Sequence, residues 1–186
     1  MKIILALILI LIYTTELYSQ NLLEVALDNE SVIVYDQPAK PILRLPLLYE
    51  KKLFIGESKS DSLNIRELMS KIDTLKIDYE NWTKQDIGNK ILVSKNKKID
   101  LKQEILKVSD KTKEEQKKLK KEIRGFNNNQ GGWKNYPLYV SKPIFTNDKK
   151  LALITIIRGN SSGSTVLYKF DDGKWSHYKY LSKWYY

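Results

Sequence analysis

Cysteine is absent from the 186-residue chain. That absence excludes disulfides, thiolate nucleophiles, cysteine-ligated metals and lipid attachment through cysteine. Histidine occurs once, as His177. A general base or a metal ligand needs partners, and without cysteine or a second histidine only carboxylates remain as further zinc ligands. Glycine is sparse, with eight residues. The stretch "GNSSG" (159–163) lacks the Lys-Ser/Thr and the following helix of a phosphate-binding loop, so the glycines are read as turn residues. No catalytic residue, metal site or cofactor is therefore expected. Beyond the first twenty residues there is also no long apolar run.

The amino-terminal "MKIILALILILIYTTELYSQ" has the three parts of a secretory signal. Lys2 is the positive region, Ile3 to Tyr13 the apolar run, and "TTELYS" a polar cleavage region. The run is shorter than the roughly 20 residues of a comfortable membrane span. Ser19 suits the position before a cut, whereas Leu17 is larger than the residue preferred two places earlier. The expectation is export to the periplasm or medium with cleavage near Ser19/Gln20, and no stable transmembrane span. Residues 1–19 are read as signal peptide and 20–186 as a single α+β domain, with a mixed or helical part (20–126) and a sheet part (133–186).

What the chain has in excess is positive charge, 32 Lys+Arg against 22 Asp+Glu, a formal +10. Such a balance predicts attraction to anionic surfaces or polymers and says nothing about fold. With 42% hydrophobic and 29% charged residues, the composition is that of a folded protein.

The spacing of apolar residues predicts a helical first half followed by an antiparallel β-meander of about four strands. "SVIVYD" (31–36) reads as a short strand, and "ILRLPLLYEKKLFIGES" (42–58) as two more. "DSLNIRELMSKIDTL" (61–75) reads as a helix capped by Asn64 and Glu67, with Ile65, Leu68, Met69, Ile72 and Leu75 facing the core. Trp82, Ile87, Ile91 and Leu92 are further core candidates. Between Lys95 and Arg124 lie 12 basic and 6 acidic residues. Thr112 and Glu115 have the spacing of a cap for a helix ending at Gly125, with Leu119, Ile123 and Phe126 as a thin apolar seam. After the loop "NNNQGGW" (127–133) the pattern changes to "PLYVSK", "KKLALITIIRG", "STVLYKF" and "KWSHYKYLSKW", separated by turn sequences. "LALITII" is apolar on both alternating faces, which predicts a central strand covered on both sides.

In the last strand, strict alternation places Trp175, His177, Lys179 and Leu181 on one side and Ser176, Tyr178 and Tyr180 on the other. His177 is then expected on a covered or half-covered face. A serine from "GNSSGS" (Ser161, Ser162 or Ser164) lacks the strand–elbow–helix setting of a nucleophile. Asp171 and Asp172 are explained by their turn.

The C-terminal third carries Trp133, Tyr136-Pro137, Ser141-Lys142-Pro143-x-Phe145, Asp148-Lys149, Ala152-Leu153, Gly163, Gly173-Lys174-Trp175 and Trp184. In this order of elements it resembles a group of uncharacterised exported bacterial proteins of the Bacteroidetes type. The resemblance covers about 55 residues and implies export and the meander. It departs at the hairpin, where many relatives have a cysteine or extra glycines and this chain has "RGNSSGS". It carries no activity with it.

Three functions follow as expectations. The first is a non-catalytic envelope or secreted protein that engages an anionic envelope polymer or a protein partner through Lys117, Lys118, Lys120 and Lys121, without cytoplasmic nucleic acid. The second is a hydrolase with a carboxylate site in a sheet concavity. The third is an interaction or inhibitor module using the aromatic carboxyl-terminal sheet, with Tyr178, Tyr180 and Trp184 as candidate contacts.

Overall fold

The computed structural model describes residues 22–42, 59–74, 80–95, 97–128 and 137–185. The expected signal peptide and the two strands expected after Ile42 lie outside them. The protein combines helices with a seven-stranded mixed sheet. A helical segment over 22–27 (α1) leads to β1 (Ile33–Tyr35), α2 (Lys59–Thr74), α3 (Lys84–Ile87), β2 (Ile91–Val93), α4 (Leu101–Leu106) and α5 (Lys113–Asn127). The remaining strands are β3 (Leu138–Val140), β4 (Ile144–Phe145), β5 (Leu151–Arg158), β6 (Ser162–Asp171) and β7 (Lys174–Tyr185).

The sheet order is β2-β1-β3-β5-β6-β7, with β4 also paired to β5. The carboxyl-terminal strands pair antiparallel, as the turn sequences predict. The sheet is larger than a four-stranded meander because β1 and β2 join it in parallel. β1 is the strand expected at 31–36, whereas β2, with three residues, is too short to display the alternation by which strands are read from sequence, and the parallel pairing of the two has no local signal.

Strands β3 and β4 run along the same edge of β5 and are separated by Pro143, which has no N–H to give the ladder. Ser141 bridges the gap. Its N–H donates to the Thr155 carbonyl at 2.9 Å, and its hydroxyl oxygen accepts from the Thr155 N–H at 2.9 Å. A side-chain oxygen thus stands in for a ladder carbonyl.

Both faces of β5 are covered, and Leu151 to Ile156 are all buried. On the first face Ala152, Ile154 and Ile156 pack with Val34, Leu138, Val140, Tyr168 and Trp175 against Leu22, Leu23 and Leu27 of α1 and against Trp82 and Ile87. On the second face Leu151, Leu153, Leu167 and Leu181 pack under Ile65 and Leu68 of α2. Further along that side, Ile33 and Val93 pack under Leu119 and Ile123 of α5. The indole N–H of Trp82 donates to the Val140 carbonyl at 3.0 Å, so this large ring is buried without an orphaned donor.

Two helix boundaries differ from expectation. Helix α2 begins at Lys59, which puts Asn64 inside it. Glu67 instead accepts the Asn147 N–H at 2.7 Å and pairs with Lys71, whose ammonium donates to the Phe145 carbonyl. Helix α5 has the expected Thr112–Glu115 capping box but continues past Gly125 to Asn127. The Asn127 side chain explains this: it bonds both the N–H and the carbonyl of Ile99 at 2.8 Å. A tertiary contact carries the last turn beyond a residue that would otherwise end it.

Candidate functional site: a cationic helix face and an aromatic edge strand

Helix α5 buries Leu119, Ile123 and Gly125 and turns its other side to solvent. Lys113, Lys117, Lys120 and Arg124 recur at intervals of four, three and four residues, and Lys121 lies beside them. On a helix this spacing forms one stripe. Lys113, Lys117, Lys121 and Arg124 are exposed, and Lys120 is half-buried.

The helix also has three acids, and two of them are engaged elsewhere. Glu115 accepts the N–H and hydroxyl of Thr112 at 2.9 and 2.8 Å. These bonds hold its carboxyl below the ordinary carboxylate range. Glu122 accepts the Ser31 hydroxyl at 2.9 Å and the Val32 N–H at 3.0 Å, tying the helix to the start of β1. Glu114 alone borders the stripe.

Of the sequence candidates, Lys117, Lys120 and Lys121 come together on this stripe. Lys118 lies on the flank that faces Lys90, whose ammonium donates to the Glu30 carbonyl at 3.1 Å. Burial, more than the neighbouring Lys118, lowers the Lys90 pKa. Lys113 and Arg124 were missed as site residues. Their signal was present in the helical interval to Lys117 and Lys120, once the helix is known to begin at Lys113.

The aromatic candidates divide between the two faces of β7. His177 pairs with Tyr168, Lys179 with Leu167, Tyr180 with Val166 and Ser182 with Thr165, so the register shifts twice. Tyr178 and Leu181 are the extra residues, and the bulges reverse the face of each residue that follows. His177 precedes both bulges and keeps the face of Trp175, as alternation predicts, but it is exposed there rather than covered; the first bulge brings Tyr180 onto the same side. Their rings are 4.6 Å apart, and the Lys183 ammonium sits 3.4 Å from the Tyr180 ring centre. Tyr178 and Tyr180 are exposed. Trp184 is buried on the other side, over Gly163, which removes it from the exposed row.

His177 stands four register positions along β6 from Ser164, roughly 13 Å at strand spacing. Ser164 accepts from the Arg158 guanidinium at 3.1 Å, and Ser161 donates to the Arg158 carbonyl at 2.9 Å. No serine–histidine pair forms among these residues. Among the described residues there is also no cluster of three or more His, Asp or Glu side chains suited to a metal ion, and no helix long and apolar enough to cross a membrane.

A cleft of about 530 Å³ opens on the second face, lined by Ala39, Lys40, Tyr139, Ile157, Gly159 and Asn160. Among the described residues no carboxylate lines it, and a glycosidase-type concavity needs two. Comparison with protein-family models, with curated proteins and with solved structures finds no match for this chain.

Proposed function

We propose that this is an exported, non-catalytic binding protein that engages an anionic polymer through the cationic face of α5. One observation carries the reading: five cations share an outward stripe while Glu115 and Glu122 are used in the cap and in the anchor to β1. The stripe contains the like-charge i,i+4 pairs Lys113/Lys117, Lys117/Lys121 and Lys120/Arg124, each of which disfavours an isolated helix by a few tenths of a kcal/mol. A polyanion laid along the stripe relieves that repulsion and releases its own counterions. Binding then weakens steeply with salt.

The test is retention on a dextran sulfate matrix. Lys117→Glu/Lys120→Glu/Lys121→Glu is expected to elute at far lower salt than the wild type. Unchanged elution would reject the stripe as the binding face. The amino-terminal signal pattern supports export, and the excess of cations supports an acidic envelope polymer as the partner.

A second reading rests on β7, whose exposed Tyr178, Tyr180 and Tyr185 present aromatic surface on the last strand of the sheet order. Aromatic residues of this kind anchor protein interfaces. Partner capture that survives salt, and is lost when Tyr178 and Tyr180 become alanine, favours this reading over the first.

A further inference from the structure

The second face of the sheet is not covered evenly. Helix α2 covers Leu151, Leu153 and Leu167, and α5 covers Ile33 and Val93. Between them runs the segment that follows β1. The Ala39 N–H donates to the Val140 carbonyl at 2.9 Å, and the Ile42 N–H donates to the Thr155 hydroxyl oxygen at 3.1 Å. Thr155 and Thr165 hydroxyls lie 2.9 Å apart, and Thr165 donates to the Ile42 carbonyl. Residues 39–42 thus form a strap fastened at both ends, and the cleft lies on the α5 side of it.

The cleft combines an apolar floor with a polar rim. Ala39 is buried, Tyr139, Ile157 and Gly159 are half-buried, and Lys40 and Asn160 are exposed at its mouth. The Tyr139 ring is held from behind by Tyr35, with ring centres 4.2 Å apart, and Tyr35 in turn meets the edge of Phe126 of α5 at 6.4 Å. The floor is thus fixed by a run of packed rings and needs no ligand to form it. Burial pushes the Tyr139 phenol up to about 12, so it stays neutral at physiological pH. Gly159 turns the wall with φ 54°, in the left-handed region that favours glycine. The volume, about 530 Å³, lies within the range of small-molecule sites.

We infer that this cleft is a binding site for a small amphipathic anion, whose apolar body lies on Tyr139 and Ile157 and whose carboxylate meets Lys40 and Asn160 at the rim. The class follows from the described lining residues, which include one cation, one amide and no acid around an apolar floor, on a protein of formal charge +10. An ammonium and an amide N–H₂ both donate to a carboxylate. This site is separate from the outward stripe of α5 and needs no polymer.

The experiment is a backbone-amide NMR titration of the full chain with phenylacetate, and in parallel with its neutral counterpart phenylacetamide. Saturable shifts are expected at Ala39, Lys40, Tyr139, Gly159 and Asn160. Lys40→Gln is expected to weaken phenylacetate about tenfold and to leave phenylacetamide unchanged, a split that general destabilisation would not produce. Ile157→Trp, which fills the floor, is expected to abolish both sets of shifts while the remaining resonances keep their dispersion. Absence of saturable shifts, or shifts confined to the α5 lysines, would overturn the site. Equal weakening of both probes by Lys40→Gln, or of neither, would overturn the anionic class.

Discussion

Gly163 and Trp184 face each other across β6 and β7, and the indole occupies the space where a β-carbon would stand. An added methyl at Gly163 would lie 2.2 Å from Trp184 Cζ2 and 2.4 Å from Cε2. Gly163→Ala is therefore expected to expel the indole, lower stability by about 1–3 kcal/mol and shift tryptophan fluorescence to longer wavelength. An unchanged denaturation midpoint and spectrum would contradict this packing. Ser141 is a second single-residue dependence, since it is fully buried and its hydroxyl is the acceptor for the Thr155 N–H. Ser141→Ala leaves that N–H unsatisfied at the Pro143 break, with an expected cost of about 1–3 kcal/mol by urea denaturation. Ser141→Thr retains the hydroxyl and is expected to recover part of the loss. Arg158 makes a comparable tie on the first face, where its guanidinium meets both Glu30 carboxylate oxygens and the Ser164 hydroxyl.

At the scale of elements, α5 depends on its first turn. Folding favours the ionised Glu115, because its carboxyl sits below the ordinary value of 4.5. The contribution is complete above that value and is lost as pH falls through the lower, folded one. Amide exchange in the first turn of α5 is expected to accelerate on acidification through this window, and Glu115→Gln to remove most of the pH dependence. Thr112→Ala is expected to cost about 1 kcal/mol at neutral pH; an effect near zero would mean that the cap is dispensable. The capping box and the seam at Leu119, Ile123 and Phe126 were legible because both are local patterns. Of the strands that join in parallel, β1 was legible from the β-branched run at 31–36, but β2 was not, since three residues carry no usable period, and neither was their parallel pairing. The end of α5 was misread for a related reason: Gly125 is a local stop signal, and Asn127 overrides it through Ile99, which is distant in sequence. In β7 alternation failed at Tyr178 and Leu181, because a bulge is set by pairing with β6 and not by the strand's own sequence. Lys179 and Leu181 consequently left the side of Trp175, whereas His177, which precedes both bulges, kept it and is exposed there.

For the molecule as a whole, one mixed sheet divides its chemistry between regions. On the first face α1 and α3 pack over a cluster of apolar residues. The second face carries α2 at one end, α5 at the other and the cleft between them. The positive excess was legible as a number in the sequence, but the stripe was not. It depends on where α5 begins and on which acids turn inward. Net charge alone attracts polyanions weakly and without a preferred face, so the distribution of charge must be tested apart from its amount.

The most direct measurement is a matched pair of charge reversals on dextran sulfate across a salt gradient. One variant carries Lys117→Glu, Lys120→Glu and Lys121→Glu on the stripe. The other carries Lys149→Glu, Lys150→Glu and Lys174→Glu, exposed residues in or next to strand turns that give the same net charge. The stripe variant is expected to elute at much lower salt while the turn variant stays close to wild type. Equal losses in both would show that net charge alone drives retention, and would contradict a binding face on α5.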